Sequence, residues 1–250
     1  MIYTRPPITE AVVGVTFASK IEPAKLSLAS DRFAKHYPHH QPLENLDVQV
    51  AVNVNADKSK KATANISEEK GHRRSTINMS ELLVLLPTSF MLSQLAPYPG
   101  WSAFSKRFKR DWGVWKKAVG FHQISRIGVR YINRIDIPVT GPLVEHEQFL
   151  LLYPQVPAAI GPIGAYGVQT VSSLNDIGCQ LTLNSAAVES PILNHDSFIL
   201  DQDISRISDV PQSEKDILEL LEAIRLKKNA IFEACISDRA RTELFHHDDS

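Results

Sequence analysis

Cysteine is scarce in this sequence: two residues in 250, Cys179 and Cys235, with no CxxC spacing between them. That excludes a disulfide-stapled secreted scaffold from the expectations and predicts two reduced, buried thiols. Long hydrophobic runs are missing too. None reaches the ~18 residues that a membrane-crossing helix needs, and the longest, Leu82 to Leu95, is broken by Pro87, Thr88 and Ser89. Met1 to Pro7 holds no apolar core of the kind a signal peptide carries, so a cytoplasmic protein without membrane partners is expected. Nor does charge of one sign dominate. Lys and Arg number 27 against 28 Asp and Glu, a net charge of -1, so the overall field does not draw the chain to nucleic acid or acidic lipid.

Catalytic signatures are also absent. The sequence has no GxSxG, Walker A, HExxH or kinase motif and no GxGxxG after a strand pattern. An ordinary hydrolase, nucleotidyl enzyme or dehydrogenase is therefore not expected, and no cofactor is implied. A site assembled from distant residues stays open.

What is present is an ordinary globular balance, 43% apolar and 22% charged, in a chain long enough to bury a core without a staple. Ile8 to Ile21 alternates with Val13, Val15, Phe17 and Ile21 on one face, as a half-buried strand does. Leu26 to Tyr37 has helical spacing and stops at Pro38. Leu46 to Asn55 alternates again, Asp57 to Gly71 reads as a loop or exposed hairpin, and Arg73 to Glu81 and Leu82 to Gln94 read as strands. Tyr98 to Gly120 is a predicted helix with Trp101, Phe104, Phe108, Trp112 and Trp115 on its apolar stripe. In the second half, strands are predicted over Ile127 to Ile137 and Ser197 to Ile204, with a hairpin from Gly164 to Val188 turning at Asn175-Asp176. Short and long helices are predicted over Glu145 to Tyr153 and Ser213 to Ala234, the latter opened by a capping-box-like Ser213 and Asp216.

The order of elements repeats. Val13-Gly14-Val15 through Glu22 matches Ile127-Gly128-Val129 through Asp136 at an offset of 114 (127 minus 13). Ser89 to Gln94 matches Ser197 to Gln202 at an offset of 108 (197 minus 89), which suggests that about six residues were lost in between. The expected fold is α+β: a duplicated strand, helix, about three strands, helix unit, with antiparallel sheets covered by helices around a pseudo-twofold axis. Residues 1–122 are expected to form the first repeat and 123–245 the second, tightly associated as two units or one domain, with 246–250 a disordered tail.

The strand at 126–136 puts Arg126, Arg130 and Arg134 on one face. Three guanidiniums in a row can grip an anionic ligand bidentately, or they can pair with Asp136, Asp201 and Asp203 on neighbouring strands. Arg126, Arg130, Arg134, Asp201 and Asp203 are the candidate ligand-binding residues. The helix from Trp101 carries Lys106, Arg107, Lys109, Arg110, Lys116 and Lys117 against one acid, Asp111; this is either a nucleic-acid surface or a solvated face. His36, His39, His40, His246 and His247 lack metal-ligand spacing and read as surface histidines. Glu145, His146 and Glu147 hint at acid-base work without forming a motif.

Five segments carry a resemblance: Pro6-Pro7-Ile8-Thr9-Glu10-Ala11-Val12, Tyr98-x-x-Trp101-x-x-Phe104, Arg126 to Asn133 as Arg-x-Gly-x-Arg-Tyr-x-Asn, Leu200-Asp201-Gln202-Asp203, and Asn229-x-x-Phe232-Glu233 with Arg239. Over almost its whole length the chain resembles a sporadically distributed family of uncharacterised bacterial proteins. Lys227 departs from it, standing where that family often carries histidine. The resemblance implies a bacterial cytoplasmic protein and supplies no activity. Three functions are carried forward: a binding protein that recognises another protein or an anionic ligand through a sheet face or inter-repeat groove; an enzyme using the Arg/Asp cluster; and nucleic-acid binding through helix 101–120.

Overall fold

The computed structural model describes residues 3–54, 60–139, 146–161 and 163–245; the expected tail, 246–250, and Glu145 lie outside the described residues. β1 (Ile8–Phe17) follows two prolines and buries Ala11, Val13, Val15 and Phe17 on one side. Pro23 opens α1 (Pro23–Phe33), a position where proline's missing N–H costs nothing. β2 (His39–Val54) and β3 (Lys60–Ser75) pair as one long hairpin, so of the stretch expected as a loop or exposed hairpin, residues 60–71 are strand. The strand expected from Arg73 to Glu81 instead ends at Ser75. There Asn78 Oδ1 accepts from the Thr76 hydroxyl at 2.7 Å and the Ser80 N–H at 3.3 Å, and the chain turns.

β4 (Glu81–Leu86) and β5 (Ser89–Leu95) flank a turn at Pro87-Thr88, and α2 (Trp101–Val119) follows. The second half runs β6 (Ile124–Pro138), β7 (Gly167–Leu174), β8 (Cys179–Val188), β9 (His195–Arg206) and α3 (Glu214–Cys235). Ser213 caps α3, its Oγ accepting the Asp216 N–H at 3.2 Å. The helix expected over Glu145 to Tyr153 is a single 3-10 turn, His146–Gln148. Just past it Leu150 forms a bridge with Ile236, which holds the chain extended there.

The strands form one antiparallel sheet in the order β2-β3-β4-β5-β1-β6-β9-β8-β7. β1 and β6 lie side by side at its centre. Outward from them each half places its last strand first, then the strand before it, so β5-β4-β3 on one side answers β9-β8-β7 on the other. Gly14 lies opposite Gly128 in the central pair. The second sequence match does not follow this ladder. Val13 faces Leu92, whereas Ile127 faces Arg206, six residues beyond Leu200 (206 minus 200). An alternating strand keeps its apolar pattern under an even shift, so the sequence match holds without marking equivalent ladder positions.

The helices pack on one face. Phe17 stacks on Trp112 and Trp115 of α2, and Phe90 meets Phe33 of α1 and Phe108 of α2. Lys228 of α3 lies over Tyr131 of β6 on the same side. Phe104, Phe108, Val129, Tyr131, Phe198, Leu221 and Phe232 are buried as their phases predict, each contributing roughly 1.5–3 kcal/mol. Trp101 is only partly buried; its indole N–H donates to Glu222 at 2.6 Å. Both cysteines are free and buried.

Candidate functional site

From Arg126 onward the even-numbered residues of β6 point away from the helices, which brings Arg126, Arg130 and Arg134 onto the other face of the sheet. Each has a carboxylate. Arg126 Nη2 donates to both oxygens of Asp203 at 2.9 and 3.0 Å. Arg130 holds Asp201 through two parallel bonds, Nε and Nη2, each 2.8 Å. Arg134 donates to Asp136 on its own strand, at 2.9 Å from Nε and 3.1 Å from Nη2. Asn184 Nδ2 adds a bond to Asp201 at 3.1 Å, and the Ser197 hydroxyl one to Asp136 at 2.5 Å.

The pairing is diagonal. Arg130 is directly opposite Asp203 but binds Asp201, and Asp203 is taken by Arg126 reaching across Gly128. Gly128 permits this reach. A Cβ there would lie 3.3 Å from Arg126 Nη1, 3.0 Å from the Ile204 carbonyl oxygen and 2.8 Å from Ser205 Cβ. The Arg-x-Gly-x-Arg spacing thus has a steric cause. Asp201 holds the Arg130 guanidinium even more firmly in its charged form, with Asp203 and Glu10 adding to the effect.

Three positive and three negative side chains compensate one another here, which leaves no surplus charge for an anion. Around them the same face carries half-buried Val12, Val84, Leu86, Met91, Ile132 and Ile199. None of the helices α1, α2 and α3 packs on it.

The basic helix offers less free charge than its sequence suggests. Arg107 is buried, donating to the Ser93 carbonyl at 2.8 Å and lying 3.2 Å from Glu81, a contact not aligned as a hydrogen bond. Arg110 pairs with fully buried Asp111 at 2.7 Å, which also accepts the Tyr37 hydroxyl at 2.5 Å. Lys116 pairs with Glu214 at 2.5 Å. Among the described residues, no group of three His, Cys, Asp or Glu is placed to hold a metal; His40 and His72 share a 2.9 Å hydrogen bond. His146 is wedged among Tyr153, Tyr166 and Phe198, beside a cavity of about 260 Å³ that Asp196 and Ser197 also line.

Sequence patterns pass over Lys228. It lies on the buried stripe of α3, four residues from both Ile224 and Phe232, and is 8% exposed. Its ammonium sits 4.0 Å from the centre of the Tyr131 ring, with no hydrogen-bond acceptor among the described residues. Burial pushes its pKa down to about 8; Arg225 acts in the same direction and Glu233 against it. The Tyr131 hydroxyl lies 3.1 Å from that of Tyr98. Gln202, opposite Tyr131, is fully buried and makes no hydrogen bond through its side-chain amide. A lysine in phase with a helix's apolar stripe is the signal that finds this cluster. In comparisons with protein-family models and with curated proteins, nothing matches the chain.

Proposed function

We propose that this chain is a binding protein whose helix-free sheet face recognises the surface of another protein. One observation carries the reading: on that face Arg126, Arg130 and Arg134 are compensated by Asp203, Asp201 and Asp136, leaving half-buried apolar side chains around pinned polar groups. Protein interfaces favour such a surface, with apolar contacts at the centre and charges already satisfied. The same pairing weighs against a free anion as ligand. It also weighs against an enzyme at these residues, because neither a free acid nor a free base is left among Arg126, Arg130, Arg134, Asp201 and Asp203. Nucleic-acid binding through α2 is weakened by the ion pairs of Arg107, Arg110 and Lys116.

Duplication belongs to the same reading. The mirrored strand order and the facing glycines support a pseudo-twofold axis between Gly14 and Gly128 that relates the halves 1–122 and 123–245. The family resemblance supports a bacterial, cytoplasmic setting.

Affinity capture on the full chain tests the proposal, with Met91→Glu and Ile132→Glu on the sheet face and Leu226→Glu on exposed α3 as control. A captured protein, identified and purified, is then titrated against all four forms. The expected result is at least a ~10-fold loss with the face variants alone. Equal affinity for all four, in variants that melt like the parent, overturns the reading.

A further inference from the structure

A second surface, separate from the helix-free face, lies at the sheet edge formed by β7. The pairing with β8 determines which of its backbone groups point outward. The Ala187 N–H donates to the Tyr166 carbonyl at 3.0 Å, in the same register that sets Gly167 opposite Ala186. In an antiparallel ladder the hydrogen-bonded rungs alternate. Val168, Thr170, Ser172 and Leu174 therefore spend their N–H and C=O groups on β8, while Gly167, Gln169, Val171 and Ser173 turn theirs out. No hydrogen bond to these outward groups occurs among the described residues.

Natural edge strands are guarded by charge, proline, a bulge or a covering element. The opposite edge, β2, contains Pro42 and Glu44. Among the described residues β7 has no such guard: Gly-Val-Gln-Thr-Val-Ser-Ser-Leu carries no charge and no proline, its ladder runs without a register shift, and Val171 is 59% exposed.

We propose that β7 pairs antiparallel with the β7 of a second copy of this chain, about a twofold axis at Val171. In that register Val171 meets the partner's Val171, and Val168 meets the partner's Leu174. Thr170 meets the partner's Ser172, Gln169 meets the partner's Ser173, and no charge faces a like charge. Every outward rung from Gln169 to Ser173 then exchanges its hydrogen bonds. Moving the axis to Thr170 sets Val171 against Gln169 and Val168 against Ser172, losing both apolar matches, so the sequence selects the first register. An eight-residue edge buries less than the ~1,200 Å² of a stable interface, so the dimer is a weak one that grows with concentration.

Sedimentation of the full chain at rising concentration is the test. The mass is expected to move from 27.9 kDa toward twice that value. Val171→Pro removes only an outward N–H, which an edge strand tolerates, and should weaken association at least ~10-fold. Val171→Lys, which sets like charges on the axis, should do the same if the proline variant fails to fold. Val171→Cys should form a disulfide-linked dimer under mild oxidation, since paired Cα atoms ~5.5 Å apart suit the bond. Gln169→Cys, off the axis, should not. A wild-type monomer at every concentration overturns the proposal, as does a dimer unaffected by both Val171 variants. A monomer that takes an extended peptide on this edge overturns it equally.

Discussion

Gly14 and Gly128 face each other on the two central strands, and the Arg126 guanidinium lies beside both. Their surroundings differ. A methyl group on Gly14 would meet Met91 Cγ at 3.8 Å, an ordinary contact, whereas on Gly128 it would meet Ser205 and the Ile204 carbonyl at 3.0 Å or less. Gly128→Ala is expected to cost about 1–3 kcal/mol and Gly14→Ala less than about 0.5. Urea melts of the two variants check this, and equal midpoints contradict the geometry.

Arg130 is half exposed, but its partner Asp201 is almost fully buried. Arg130→Leu leaves that carboxylate with Asn184 alone, so a loss of about 1–3 kcal/mol is expected. Arg130→Leu combined with Asp201→Leu should recover part of the loss, because no stranded charge remains. A double-mutant cycle in thermal melts measures the difference.

Lys228 predicts a pH dependence of definite sign. Its folded pKa, about 8, lies below the unfolded value near 10.5, so between these limits the unfolded chain holds a proton that the folded chain has lost. Stability from this group therefore rises with pH across that window. Lys228→Met should be more stable than the parent at pH 7, by roughly 3 kcal/mol at most, and the gap should close as pH approaches 10. Tyr131, Arg225 and Glu233 face position 228 in both proteins, so the comparison isolates the amine. A pH-independent gap would rule out a buried, titrating Lys228.

Phe232 packs against Tyr3 and Phe245, with ring centroids 6.3 and 6.0 Å away, and joins the last helix to both chain ends of the described core. Phe232→Ala is expected to cost about 3–5 kcal/mol. An unchanged melting temperature would remove this cluster from the core.

Where period and polarity agree, sequence and structure coincide. Alternation in β1 and β6, the tryptophan stripe of α2 and the Ser213 cap all follow from local rules, and so does the shared face of Arg126, Arg130 and Arg134. Failures arise where a distant contact decides. Leu150 is extended because Ile236 is there to bridge it, and the register of β9 depends on β6 rather than on its resemblance to β5. The diagonal choice of Asp201 over Asp203 by Arg130 depends on the space above Gly128, which no spacing rule contains. Lys228 escapes the sequence reading: its phase on the apolar stripe of α3 is the one local signal, and its titration needs Tyr131 beneath it.

The central seam has a consequence for synthesis. Gly14 waits for Gly128 across 114 residues (128 minus 14), which at 5–20 residues per second is on the order of ten seconds of translation. Throughout that interval one edge of β1, the central strand of the first half, has nothing to zip against. A ribosome-bound chain stalled before β6 should therefore present a sticky template, and a free fragment 123–245 is the molecule built to cap it. Cut at residue 122, the two pieces would behave as a split protein, each poorly folded alone and restored on mixing.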